Sequence, residues 1–343
     1  MPRLPPSLFR RAWAVELHLA TLLPACRDLT SARDELRWIR EHVDSLPYFN
    51  HSQTNVNVNV DKKIWRTSLG NKNKLVTKLC RKRGTGYPLQ YVLGSQPFGD
   101  LEIKCRPGVL IPRHDTETWV LRLAELIEWE DGNEERPDLT ILDLCTGTGC
   151  IPLLLHSRLR EEFPRISVAG IDIDPKAVAL ATENLKENKR RGLLSEDPAQ
   201  NIQFERADIF SDEWISSLFP QAKRAIETRG VDILVSNPPY ISAKGFNYDT
   251  QRSVRNYEPK LALVPSPTVS HSFSIPNVRP EDVFYARIFE VSQMLQPRFI
   301  VLEVGDQAQA NRVIEMAQSQ FGNDNVDYEI ENWAERAIFI RRG

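Results

Sequence analysis

The stretch "LTILDLCTGTGC" (139–150) decides how the rest of the chain is read. Leu139, Ile141, Leu142 and Leu144 form a short apolar run with the length and composition of a buried strand. It ends in Cys145-Thr146-Gly147-Thr148-Gly149, a glycine-rich turn that opens a helical pattern. Gly147 and Gly149 allow backbone to approach a ligand closely and present N–H groups at a helix start. A G-x-G alone is weak evidence. Dinucleotide folds carry a further Gly where this chain has Pro152, and there is no phosphate-loop lysine. The nucleotide bound here need not carry phosphates.

Downstream, the same grammar repeats. "ISVAGIDID" (166–174), a helix over 175–191, "IQFERADIF" (202–210) and "VDILVSNPPY" (231–240) come first. A helix over 281–296, "RFIVLEVG" (298–305), a helix over 306–321, "VDYEIEN" (326–332) and "RAIFIRR" (336–342) follow. A helix over 116–129 precedes them all. Short apolar runs alternating with helices predict an α/β domain, 115–343, built on a mostly parallel sheet covered on both faces. The last two runs lie too close together for a crossover helix, so the final strand is expected antiparallel.

The strand ends predict a nucleoside pocket. Asp172 closes the second strand, 23 residues beyond Gly149, where a carboxylate can accept both ribose hydroxyls. Asp208 closes the third and could accept an adenine amino group, with Ile209 and Phe210 against the ring. Each aspartate alone is equally a turn or N-cap residue; the series at successive strand ends points to the pocket. Acidic rims with little positive charge suit S-adenosyl-L-methionine, whose sulfonium and ammonium are cationic. No metal is expected.

The fourth strand delivers Asn237-Pro238-Pro239-Tyr240. Proline removes backbone donors and keeps the carbonyls. The Asn237 side-chain oxygen and the Pro238 carbonyl make a stiff pair of acceptors for a planar –NH2, and Tyr240 can stack on its flat face. Such a nitrogen is a poor nucleophile because its lone pair is delocalised. Accepting both N–H hydrogens raises its electron density, and fixed dipoles stabilise the positive charge that grows on it. The bland alternative is a strand running into a stiff loop.

Around this domain the signals are coarser. Residues 1–93 look helical: "SARDELRWIREHV" (31–43) opens with Ser31 and Asp34 at capping-box spacing. "NVNVNV" (55–60) reads as a loop insertion. "FGDLEIKC" (98–105) and "GVLIPR" (108–113), separated by Arg-Pro-Gly, predict a β-hairpin within a 94–114 linker. The Pro/Ser-rich 264–280 reads as a mobile loop. Of 343 residues, 41% are hydrophobic and 26% charged, with net charge −2, so no global field attracts nucleic acid. Locally, 62–83 holds nine Lys/Arg and no acid, either a solvated helix face or a patch for an RNA-rich or acidic partner. Five scattered cysteines fit a reducing compartment. No apolar run approaches the ~20 residues that cross a bilayer. Residues 1–27 set Arg3, Arg10, Arg11 and Arg27 against Glu16, a transit-like balance that prolines 2, 5 and 6 interrupt.

Together "GYPLQYVLGSQPFGDLEIKCRPGVLIPRHDTE" (86–117), "ILDLCTGTGCI", "LVSNPPYI", "VRNYEPKLALV" (254–264) and "VLEVG" resemble the HemK/PrmC protein-(glutamine-N5) methyltransferases over 86–343. The resemblance implies a class I S-adenosylmethionine-dependent methyltransferase fold, Rossmann-like with a seven-stranded sheet, plus a small helical substrate-docking domain. It implies methylation of the glutamine in the Gly-Gly-Gln loop of a class I peptide-chain release factor. The arginine-rich start resembles the mitochondrial branch, hence a matrix location. Carried over by position, Thr146, Gly147, Thr148 and Gly149 form the cofactor loop, Asp172 holds ribose, Ile209 neighbours adenine, and Asn237 lies near the methyl donor. Asn237 to Tyr240 grip the amide, and Phe98 and Arg113 help close the site. Cys145, Ile209, His114 and the tail "NWAERAIFI" depart from the family pattern. A monomer without stable nucleic-acid or membrane contact is expected. The alternatives are a ribosomal-protein glutamine methyltransferase, an N6-adenine nucleic-acid methyltransferase, which should show a basic cleft for a flipped base, and a non-catalytic binding module.

Overall fold

The computed structural model describes residues 3–46, 62–130, 138–197, 200–217, 231–266, 273, 275–322, 328–333 and 336–342. The insertion at 55–60 and, within 264–280, residues 267–272 and 274 lie outside them. The chain forms two compact units: Met1–Gly94 with Gln251–Tyr257, and Ser95–Thr250 with Glu258–Gly343.

The first unit comprises α1 (Pro6–Val15), α2 (Leu17–Cys26), α3 (Leu29–Ser45), α4 (Lys62–Gly84) and α5 (Leu89–Leu93). Arg252–Tyr257, α11 in chain order, completes it. Leu36, Ile39 and Val43 of α3 are buried with Leu19, Leu22, Leu23 and Cys80. The helix starts earlier than Ser31 and Asp34 suggest. Its cap is Asp28, whose carboxylate accepts the Ser31 N–H at 2.8 Å and the Ser31 hydroxyl at 2.7 Å. Asp28 already satisfies the orphan donors of the first turn, so Ser31 is recruited as a donor inside it. Arg83 forks onto Glu35, with Nε and Nη2 donating at 2.6 and 2.8 Å. Tyr257 packs edge-on against Tyr87 with ring centres 5.1 Å apart.

The second unit opens with a hairpin, β1 (Ser95–Phe98) and β2 (Leu101–Lys104). Its turn is Gly99-Asp100, not Arg106-Pro107-Gly108 as the spacing suggests. Gly99 takes φ +56°, which a tight turn requires. The "GVLIPR" stretch is irregular chain. The hairpin is bolted to this unit by two buried asparagines: Lys104 N–H donates to Asn184 at 2.8 Å and Glu102 N–H to Asn188 at 3.2 Å.

Both asparagines lie on α8 (Pro175–Arg190). The remaining elements are α6 (His114–Glu130), β3 (Leu139–Leu144), α7 (Cys150–Leu159), β4 (Ile166–Asp172), β5 (Gln200–Arg206), α9 (Glu213–Ser217) and β6 (Ile233–Ser236). After α10 (Ala243–Tyr248) come α12 (Val283–Leu295), β7 (Phe299–Glu303), α13 (Gln307–Phe321), β8 (Tyr328–Trp333) and β9 (Ala337–Arg342). The sheet order is β5-β4-β3-β6-β7-β9-β8. All pairs are parallel except the two made by β9, so the final strand is antiparallel as expected. Alternation splits the core. Ile141, Ile233, Val235 and Val301 face α6 and α7, whereas Leu142, Leu144, Leu234 and Leu302 share a cluster with α12 and α13 residues. The chain winds outward from β3 to β5, then returns to place β6 on the other side of β3. That reversal leaves a crevice beyond the C-terminal ends of β3 and β6.

Candidate active site

A cavity of about 480 Å³ occupies this crevice, within the second unit. The glycine turn forms its floor. Cys145, Gly147 and Gly149 hold φ of +64°, +55° and +77°, the left-handed region that costs a side-chain-bearing residue about 1–2 kcal/mol. A Cβ on Gly147 would meet no protein atom within 4 Å, so that face stays open to a ligand. Gly149 does not line the cavity. It sits against the core, where a Cβ would lie 2.9 Å from Phe204 and 3.0 Å from Ala181.

Asp172 leans across the turn. Its oxygens accept the Gly147 N–H and the Asp174 N–H, both at 2.9 Å. Each keeps a lone pair for a hydroxyl donor. Burial pushes its carboxyl up, and the two backbone donors counter that. Asp208 is exposed at the rim and accepts the Phe210 N–H at 3.0 Å. Buried Arg287 clamps this loop from α12, donating to the Ile209 carbonyl at 2.7 Å and pairing with Asp212. Ile209, Phe210 and Phe284 form an apolar wall, the two rings edge-on at 5.1 Å. Arg113 brings no net charge to the cavity, because its Nη2 pairs with buried Glu258 at 2.8 Å. The other Glu258 oxygen accepts the Ile111 N–H at 3.1 Å, pinning the irregular 108–113 stretch along the wall.

Asn237 and Pro239 line the same cavity beside Thr116. The Asn237 Nδ2 donates to Thr116 Oγ1 at 3.2 Å. What the amide offers the cavity is therefore its oxygen. Pro238 is buried and Tyr240 sits behind the wall, its hydroxyl donating to Glu303 at 3.2 Å. Phe98 is misjudged by the sequence reading. It is fully buried in the core beside Leu101 and Leu154, because alternation on a short hairpin points it inward. Among the described residues no cluster of His, Cys, Asp and Glu could hold a metal.

Sequence reading overlooks Thr116, Glu258, Arg287 and Glu303. Only Glu303 carries a local signal, a carboxylate at the end of the otherwise apolar "FIVLE" strand.

Vacant lone pairs on Asp172, an acidic rim, a paired arginine and an apolar ring slot fit an adenosyl cofactor with a cationic sulfur. Fold and site define an S-adenosyl-L-methionine-dependent methyltransferase of class I. A family model described as a methyltransferase domain matches residues 135–238. The chain is 34% identical to the mitochondrial MRF1 N(5)-glutamine methyltransferase MTQ1 of Saccharomyces cerevisiae over 264 residues, 77% of this chain and 68% of that one. It is 38% identical to the probable MRF1 mitochondrial N(5)-glutamine methyltransferase of Schizosaccharomyces pombe, across 56% of each chain. A release factor glutamine methyltransferase of Geobacter sulfurreducens is 31% identical over 69% of this chain and 68% of its own. The protein belongs to this family of N(5)-glutamine methyltransferases.

Proposed function

We propose that this enzyme methylates the side-chain amide nitrogen of the glutamine in the Gly-Gly-Gln loop of a class I peptide-chain release factor, in mitochondria. The observation that carries the reading is the Asn237 amide, whose nitrogen is engaged by Thr116 and whose oxygen is left for the cavity. Two relatives with mitochondrial names support the compartment.

When bound, S-adenosyl-L-methionine supplies an electrophilic methyl on a cationic sulfur. Asp172 holds the ribose hydroxyls on its remaining lone pairs, and Ile209, Phe210 and Phe284 flank the flat base. Asn237 Oδ1 and the Pro238 carbonyl accept the two hydrogens of the substrate –NH2, fixing the nitrogen lone pair toward the methyl. With the cofactor bound, transfer would form the N–C bond as the S–C bond breaks, leaving S-adenosyl-L-homocysteine, and one N–H proton would leave to water. Fixed acceptors that strengthen as nitrogen turns positive need no reorganisation during transfer. The basic face of α4 docks the folded substrate, while the sheet unit does the chemistry.

Purified protein, S-adenosyl-L-methionine and a Gly-Gly-Gln peptide should give one methyl on the glutamine by tandem mass spectrometry. The same mark should vanish from mitochondrial release factor in cells lacking the protein. Asn237→Ala should lower kcat by 100-fold or more, on the order of losing one transition-state contact, with cofactor affinity within a few-fold. An adenine-containing oligonucleotide methylated in place of the peptide would overturn the reading.

A further inference from the structure

An amide side chain is nearly symmetric in shape, yet its two ends are opposite in hydrogen bonding. Steric fit alone does not decide which end of Asn237 faces the cavity. Something must, because presenting Nδ2 would set a donor against the donors of a substrate –NH2.

We infer that Glu303, acting through Thr116, is the positioning residue that holds the Asn237 amide with its oxygen toward the substrate. The inference rests on the amide-methylating reading above. Glu303 ends β7, with only 2% of its surface exposed. Its Oε2 accepts from the Thr116 hydroxyl at 2.5 Å and from the Trp119 indole at 2.9 Å. Its Oε1 accepts from Tyr240 at 3.2 Å. Thr116 has one proton, and Glu303 takes it. The Thr116 oxygen can then only accept from Asn237, and Nδ2 supplies that bond at 3.2 Å. The ionised carboxylate thus fixes the polarity of a chain of two hydrogen bonds that ends at the reacting nitrogen.

Protonation reverses the chain. A neutral Glu303 can donate to Thr116, whose proton is then freed to meet Asn237 Oδ1, turning Nδ2 to the substrate. Burial raises the Glu303 carboxyl above the ordinary range, while Thr116, Trp119 and Tyr240 act against the rise. The other groups facing this region are Asp115 on α6, Cys150 at the start of α7, Tyr285 on α12, whose hydroxyl donates to the Glu303 carbonyl at 2.8 Å, and Arg336, paired with Asp115 at 3.1 Å. Asp115 raises the carboxyl further. None of the contacts made by Trp119, Tyr285 or Arg336 sets the direction of the Thr116 proton.

The test uses the full chain with S-adenosyl-L-methionine and a Gly-Gly-Gln peptide. Thr116→Val keeps the shape and removes the oxygen; Glu303→Gln keeps the shape and adds a donor. Both should lower kcat about tenfold or more, with peptide KM and cofactor Kd within threefold. Thr116→Ser, which restores the oxygen, should recover kcat to within threefold of wild type. The acid limb of the wild-type kcat–pH profile should disappear in Glu303→Gln. If Glu303→Gln fails to fold, the Thr116→Val and Thr116→Ser pair decides. Variants that methylate within twofold of wild type, or that lose cofactor affinity as much as kcat, overturn the inference alone. A wild type that leaves the peptide unmodified overturns the amide reading as well.

Discussion

Gly147 and Gly149 sit in one turn and should fail in different ways. Alanine at 147 meets no protein atom within 4 Å, so the fold loses only the left-handed penalty of about 1–2 kcal/mol. Its methyl projects where ligand must come close, so the S-adenosyl-L-methionine-induced rise in Tm should largely vanish. Alanine at 149 collides with Phe204 and Ala181 inside the core. That variant should melt several degrees lower with or without cofactor. Paired thermal melts separate the two. The turn, Asp172 and Asn237 are legible in sequence because each stands at a strand end, and strand ends announce themselves by pattern. Thr116, Glu258 and Glu303 are not, since they meet their partners across 121, 145 and 187 positions of sequence. Phe98 shows the converse error: a motif marks a residue without saying whether it faces ligand or core.

Elements were easier to detect than to delimit. Helices over 116–129, 175–191, 281–296 and 306–321 emerge within a few residues of α6, α8, α12 and α13. The hairpin was displaced because Arg-Pro-Gly carries the stronger turn composition, while Gly99 has the conformation that closes two strands. Inside α7, His156 is fully buried and neither ring nitrogen meets a hydrogen-bond partner among the described residues. Burial lowers its pKa from 6.5 to about 4. The unfolded chain therefore binds the proton more readily. The stabilisation is complete above pH 6.5 and is lost as pH falls toward 4. At pH 5 the loss should be about 2 kcal/mol. Tm should drop between pH 7.5 and 5, and His156→Leu should flatten that dependence. Equal slopes in both proteins would remove His156 as the cause.

Of the nine cations on α4, the six from Lys72 to Arg83, whose side chains are described, divide by partner. Lys72 pairs with Asp44 at 2.8 Å, Arg83 is spent on Glu35, and Lys82 lies 3.8 Å over the Tyr87 ring. Lys74, Lys78 and Arg81 instead border a shallow recess with Asn73 and Thr77. Replacing those three by Ala should raise KM for a folded release factor several-fold at low salt and leave a short Gly-Gly-Gln peptide untouched. Identical losses on both substrates would rule out docking through α4.

At the scale of the whole molecule, α/β alternation announces a mostly parallel sheet with an antiparallel final strand, whereas the order β5-β4-β3-β6-β7-β9-β8 is not carried by alternation. Alternation could not assign Gln251–Tyr257, because seven residues carry no period and their partner, Tyr87, lies far upstream. That segment has a topological consequence. The backbone passes between the units three times, at residues 94–95, 250–251 and 257–258. One proteolytic cut at residue 94 therefore cannot strip the helical unit of all its parts, and a truncation there leaves Tyr257 on the catalytic fragment without its aromatic mate. Any graft of the helical unit onto a relative must carry both of its pieces or give up the Tyr87–Tyr257 ring contact.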